Sequence, residues 1–227
     1  MMDDELVFIS LTAADLLRDR SWWEIYEEAF PLTELEPPHV IVNSLEMDVG
    51  LAVAVRANDS TIAIATAHLL KDPPSIFLVY LATTKIFRGR GCGGELLEYT
   101  WITGHQRLSD NGYTTMGLVA EVDAPDQSID IEDRSIRERR IAFFARHGAE
   151  LLPYSYTQPP VDGVNTVPMR LVFRPAEGHG QPDSAFSEAL VRAMYFEKYH
   201  AVNGIAEDSL TSLLTSRARS IYGSDAL

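Results

Sequence analysis

The sequence predicts a mixed α/β domain followed by a helical C-terminal extension. Three observations predict it. Short β-rich runs recur between residues 6 and 174, separated by stretches of helical period. A nearly continuous apolar run, Ile76 to Ala82, leads through a glycine-rich turn straight into one such stretch. A Gly- and Pro-rich polar segment, 175–183, then sets off two more amphipathic stretches. The expected division is therefore a domain over 1–178 and an extension over 179–227.

Composition narrows the class. At 227 residues, 46% hydrophobic and 23% charged, the chain has globular values and can bury a core without disulfides or metals. Disordered, collagen-like and coiled-coil chains are excluded. No apolar run approaches the ~18–20 residues of a membrane span, and the acidic start MMDDELVFIS is unlike a basic signal peptide. One cysteine, Cys92, excludes an internal disulfide framework and fits a reducing, cytoplasmic compartment. Six histidines and that cysteine lack metal-ligand spacing, so no metal is expected. The balance of 19 basic and 33 acidic residues gives −14, which repels nucleic acid and anionic membrane and favours cationic partners. Residues 1–60 hold 13 acids against 3 bases, whereas bases gather at Lys85, Arg88, Arg90 and at Arg134, Arg137, Arg139, Arg140.

Residues 6–10 read as a strand. Thr12 and Asp15 form a capping box that opens a helical stretch, with Trp22, Tyr26 and Phe30 on one stripe until Pro31. Glu34 and Glu36 follow on a loop within reach of a substrate. The runs 49–57 and 61–70 are two strands joined at Asn58-Asp59-Ser60. The apolar run 76–82 has the pattern of a strand covered on both faces. A helix then carries Leu97, Trp101 and Leu108 and ends at Asn111-Gly112. After a strand over 114–122 comes a helix over 134–147, with Ile141, Phe143 and Phe144 apolar and Gly148 as its stop. Further strands are expected at 150–154 and 167–174. Two helices, 184–199 and 207–222, close the chain, the second with Leu210, Leu213, Leu214 and Ile221 on its apolar face.

The glycine turn is the most informative segment. Four glycines, Gly89, Gly91, Gly93 and Gly94, fall within six residues between strand and helix, flanked by Arg88 and Arg90. Free N–H groups at a helix start and the positive end of its dipole bind phosphate. A Walker A loop requires a lysine that is absent here, and a dinucleotide fingerprint requires another glycine spacing after a first strand. Arg88-Gly89-Arg90-Gly91-Cys92-Gly93 instead matches [QR]-x-x-G-x-[GA]. With the strand before it and the helix after it, the run from Tyr80 to Leu97 resembles the GCN5-related N-acetyltransferase (GNAT) family. Tyr26-Glu27-Glu28-Ala29-Phe30-Pro31 and Phe143-Phe144-Ala145-Arg146-His147-Gly148-Ala149 extend the resemblance over residues 6–175.

That resemblance implies a twisted, mostly antiparallel sheet, splayed near the cofactor strand and flanked by helices, the acyl-CoA N-acyltransferase fold. It implies acetyl-CoA as co-substrate and an amine as acceptor: a small cationic amine, a polyamine, or a peptide lysine or N-terminus. Leu81, Ala82 and Thr83 would pair with the pantetheine amides through their backbone. Arg88, Gly89, Arg90, Gly91, Cys92, Gly93 and Gly94 would take the pyrophosphate, and Arg137 stands where the family usually has an asparagine near the cofactor. An alkyl ammonium of pKa about 10.4 is only about 0.04% neutral at pH 7, so a proton acceptor is needed. Glu121, at a strand end, is the first candidate and Asp123 the second; Glu34 and Glu36 would draw the cation in. The family's usual proton-donating tyrosine matches Phe144 here, so Tyr154 or Tyr156 is expected to donate instead. The missing tyrosine motivates an alternative, a non-catalytic acyl-CoA-binding or sensing protein of the same fold. The C-terminal helices could complete the pocket, form a homodimer contact or cover the sheet.

Overall fold

The computed structural model describes residues 5–222, with side chains through residue 215; Ile221 lies outside the described side chains. Among the described residues β1 (Val7–Leu11), β2 (Gly50–Ala57), β3 (Ser60–Lys71), β4 (Pro74–Thr83), β5 (Gly117–Asp123), β6 (Glu150–Leu151), β7 (Tyr156–Gln158) and β8 (Val167–Pro175) make one sheet. Its order is β1-β2-β3-β4-β5-β8-β6, with β7 also on β8. Every pairing is antiparallel except β4–β5.

The N-terminal helical stretch is two helices, α1 (Ala13–Arg18) and α2 (Arg20–Ala29). Asp19 makes the break: one carboxylate oxygen caps α2 at the Trp22 N–H, and the other accepts from Thr61 (2.6 Å) and Arg56 (3.2 Å). A helix not anticipated from sequence, α3 (Pro38–Glu46), starts with proline at its first position. Its β-branched run Val40-Ile41-Val42 weakens the helical signal, and burial of those side chains against the sheet overrides that propensity. The predicted hairpin turn is present, with Asn58 and Asp59 both at positive φ, as a tight two-residue connection demands.

The strand–turn–helix unit also forms as expected: β4, then α4 (Cys92–Asp110). α5 (Ile131–Arg146) starts earlier than its apolar pattern suggested, because Asp130 caps it at the Asp133 N–H. The C-terminal extension consists of α6 (Ser184–Ala193), a π-helical segment Met194–His200, and α7 (Glu207–Tyr222).

Alternation along the strands sends residues to two faces. Val53, Ala65, Leu118, Ala120 and Val172 meet Leu96 and Leu97 of α4 and Phe144 of α5. On the other face, Ala54, Ile64 and Tyr80 meet Trp22 and Tyr26 of α2, while Phe77, Val119 and Leu171 meet Leu190, Met194 and Tyr199 of the extension. The extension therefore buries its apolar side directly on the β5–β8 half of the sheet.

One irregularity positions the site. β4 and β5 pair only from Ser75↔Gly117 to Leu78↔Ala120, after which β4 continues to Thr83 and β5 to Asp123 unpaired with each other. Next to that point Tyr80 opposes Thr66 and Leu78 opposes Ala67, leaving Val79 as a bulge. A bulge bends its strand and adds twist. Here it swings the end of β4 away from β5 and opens the sheet.

Candidate active site

The opening between the two strands is a cavity of about 640 Å³. Its floor is Leu78–Thr83 of β4 and Ala120–Asp123 of β5; Phe30 and Glu34 flank one side, and Arg139, Arg140, Phe143 and Phe144 of α5 the other. The edge of β4 from Leu81 to Thr83 pairs with β3 on one side and faces this space on the other.

At the loop end, Gly89 and Gly91 have φ of 76° and 86°, a region that side chains rarely adopt. Gly91 precedes α4 as its N-cap, and among the described residues no side chain caps the helix. The Gly94 and Glu95 N–H groups bond back to the Gly91 carbonyl, which leaves those of Cys92 and Gly93 for another acceptor. Arg88 is exposed and donates its Nε to the Thr83 carbonyl at 3.2 Å, which ties it to the end of β4 at the cavity. Gly94 serves a different need. A Cβ there would lie 2.5 Å from His147 Nε2, and His147 is itself fixed by donating Nδ1–H to the Phe143 carbonyl at 2.8 Å. That glycine lets α4 and α5 approach.

At the other end stands Glu121. Its carboxylate accepts from Tyr156, from Gln158 (2.9 Å), and from Tyr199, whose hydroxyl lies 2.8 and 2.9 Å from the two oxygens. Burial pushes its pKa up, and these three donors pull it partly back. Burial and then the Glu121 charge hold the Tyr156 and Tyr199 phenols well above their ordinary range, so both remain protonated donors. Asp123 is bound by Arg140. Glu34, half-buried at the cavity wall, has its pKa pushed up to about 7 by burial first and then by Asp123, with Arg140 opposing. Among the described residues no group of acidic, histidine or cysteine side chains converges to hold a metal ion.

The structure thus brings Leu81, Ala82, Thr83, Arg88, Gly89, Gly93, Glu34, Glu121 and Asp123 to one cavity. Arg90, Gly91, Cys92, Gly94, Arg137, Tyr154, Tyr156 and Glu36 do not line it. Arg90 lies over the Phe87 ring, and Cys92 is buried in the core, where burial pushes its thiol pKa up and away from a nucleophile. Arg137 is held by Asp133 and by the Ala124 carbonyl (3.0 Å), so Arg139 and Arg140, a turn nearer Phe143, face the cavity in its place. Tyr154 packs in the core, and Tyr156 reaches the site only through Glu121.

Glu36 corrects the expectation of a substrate-facing acid. It is 2% exposed and pairs with Lys198 at 2.7 Å, while Asn203 donates to it at 2.7 Å. Sequence reasoning also missed Gln158, Lys198 and Tyr199. For Arg139 and Arg140, not chosen from sequence, a signal existed: they lie four and three residues before Phe143 on the same helical face. For Tyr199 no local signal exists.

No protein-family model and no curated protein matches the chain. Solved structures do. A Bacteroides thetaiotaomicron protein assigned to the GNAT acetyltransferases superposes with a TM-score of 0.63 at 22% identity, over 88% of this chain and 99% of that one. Arabidopsis thaliana NAA60 in complex with acetyl-CoA gives 0.55 at 14% identity, over 77% and 100%. The ribosomal-protein-S18-alanine N-acetyltransferase of Escherichia coli gives 0.51 at 18%, over 79% and 99%. Identities this low speak to architecture, and they agree with the splayed sheet, the glycine turn and the flanking helices: the chain has the fold of the GCN5-related N-acetyltransferases.

Proposed function

We propose that this chain is a GNAT-family enzyme that transfers an acetyl group from acetyl-CoA to a primary amine by direct attack in a ternary complex. The observation that carries the reading is one cavity joining an open β4 edge and an uncapped glycine turn to a wall of carboxylates. The pantetheine amides pair with the backbone of Leu81–Thr83 as an added strand. The pyrophosphate takes the N–H groups between Arg88 and Gly94, with Arg88 supplying charge. Backbone donors at the thioester oxygen and fixed geometry supply most of the catalysis. Glu34, Glu121 and Asp123 attract the cationic acceptor and provide a destination for its proton. The phenol of Tyr156 is committed to Glu121, so it serves that carboxylate rather than the leaving sulfur. The extension acts with the domain, because Tyr199 and Lys198 reach back to Glu121 and to the loop of Glu34.

Thermal shift with acetyl-CoA, CoA and NADP on the wild type and Gly91→Asp tests the cofactor assignment. A ligand at a hundredfold excess over Kd adds about 2.7 kcal/mol to a state it binds exclusively. The expected result is a shift with the CoA species, lost in a variant that still unfolds cooperatively. No shift at millimolar CoA species in the wild type sinks the proposal.

A second reading, an acyl-CoA sensor that catalyses nothing, is favoured by Phe144, a side chain that cannot donate a proton on the cavity wall. Acetyl-CoA binding without thiol release, across spermidine, an aminoglycoside, a lysine peptide and a free N-terminal peptide, selects it.

A further inference from the structure

Of the three carboxylates on the cavity wall, two are committed. The Glu121 oxygens receive four contacts: Tyr156 and Tyr199 on Oε1, Gln158 and Tyr199 on Oε2. Tyr199 has one hydroxyl hydrogen to share between the two oxygens, so three donors hold a carboxylate of about four lone-pair sites. They favour its ionised form over taking up a proton and leave it room to accept one N–H. Asp123 is held by the Arg140 guanidinium. Glu34 differs: among the described residues, no hydrogen bond ends on its carboxylate, although its backbone is fixed. The Tyr80 hydroxyl donates to the Glu34 carbonyl at 2.7 Å, and two residues on, Glu36 is locked by Lys198. The loop is thus rigid while its carboxylate remains open to the cavity.

We propose that Glu34 is the catalytic residue that takes the proton from the acceptor's ammonium, while Glu121 orients the nitrogen; this rests on the acetyl-transfer reading above. The groups around Glu34 suit the task. Glu121 and Asp123 of β5 oppose its ionisation, Arg137 and Arg140 of α5 favour it, and the Tyr80 phenol of β4 lies against its backbone. Together with burial they bring its affinity for protons close to neutrality, where a general base works best. In the step, one ammonium N–H bond breaks and the proton joins a Glu34 oxygen. The freed nitrogen lone pair attacks the thioester carbon, and the C–S bond breaks with its electron pair going to sulfur. The second nitrogen proton ends on that sulfur, and Glu34 returns its own to solvent. The products are the amide, CoA thiol and one proton.

Two measurements test this. The first needs no acceptor: ¹³C NMR titration of the protein labelled at the Glu carboxyl carbons, wild type against Glu34→Gln. A resonance absent from the variant and titrating near pH 7 is expected; one titrating at an ordinary pH of about 4.3 overturns the proposal. The second is kcat/KM against pH, from about 5.5 to 10, with acetyl-CoA and the amine panel above. The wild type should rise to a plateau above pH 7. Glu34→Gln should lose about a hundredfold at pH 7.5 and recover as pH nears the amine pKa of about 10.4, because free amine then no longer needs a base. Glu121→Gln should lower the rate without moving the plateau. If Glu121→Gln abolishes the plateau and Glu34→Gln retains it, the proposal is overturned alone. Should the wild type release no CoA with any amine, the acetyl-transfer reading falls and takes the proposal with it.

Discussion

An acid whose pKa is raised in the fold works against the fold once it ionises. The native chain keeps a proton on Glu34 up to about pH 7, whereas the unfolded chain releases it near the ordinary carboxylate range. The native state therefore binds more protons between those values, and stability falls as pH rises through them. Glu34→Gln removes the penalty. Its melting temperature should exceed that of the wild type above pH 7, and the difference should narrow as pH falls and close only by about pH 4, measured by calorimetry in matched buffers. Tyr199 has the opposite sign. Its protonated hydroxyl lies within hydrogen-bond distance of both oxygens of the half-buried Glu121 carboxylate, and hydrogen bonds to charged groups are worth about 1.5–3 kcal/mol. Tyr199→Phe should lower the unfolding free energy by that amount, read as a lower urea midpoint with an unchanged slope.

The π-helical segment couples three elements. Glu197 accepts the backbone N–H groups of Lys71 and Asp72 at 2.7 and 3.1 Å, Lys198 pairs with Glu36, and Tyr199 reaches Glu121 on β5. A buried pair is a weak source of net stability, but breaking it leaves a stranded charge. Lys198→Met should therefore cost about 3–5 kcal/mol, and adding Glu36→Gln should return a large part of it. A double-mutant cycle by urea unfolding measures this; additive losses would mean that the pair is not coupled. The α4–α5 contact makes a second element-scale prediction. Gly94→Ala drives a methyl into His147, so His147 must leave its bond to Phe143, and stability should fall by about 1–3 kcal/mol. Combining it with His147→Ala should recover most of the loss.

For the whole molecule, acid sensitivity follows from one buried imidazole. His68 is 2% exposed, and burial, then Lys198 and Lys71, push its pKa down to about 3. It stays neutral in the fold, while in the unfolded chain it takes a proton below its ordinary value of about 6.5. Stability contributed by neutral His68 is full above that pH and is lost as pH falls from there toward 3. His68→Leu should flatten the acid side of the stability profile, a change that chemical unfolding at several pH values would reveal.

Most strands, the glycine turn and α4 were legible because each is a local pattern: alternation, a break in side-chain size, a helical stripe. Three-residue β7 was missed and the strand expected over 150–154 is only Glu150–Leu151, since such short pieces are set by pairing with β8. Glu121 was legible for the same reason, as a charge ending an apolar strand. The split at Asp19 was not, since it depends on Thr61 and Arg56 across the sheet. Nor was α3, where burial outweighs the β-branched preference of its residues. The partners of the site lie farther off still: Tyr199 is 78 positions from Glu121 and Asn203 is 167 from Glu36. No periodicity spans such gaps. By itself the sequence determined the order of the longer strands and helices, the glycine turn before α4 and the acidic bias of the chain, all of which follow from neighbouring residues. Only the tertiary structure decided which carboxylate is buried in an ion pair, which is held by three donors and which remains open. A side chain's role there depends on the charges and hydrogen bonds around it, and those come from chain segments that folding alone brings together.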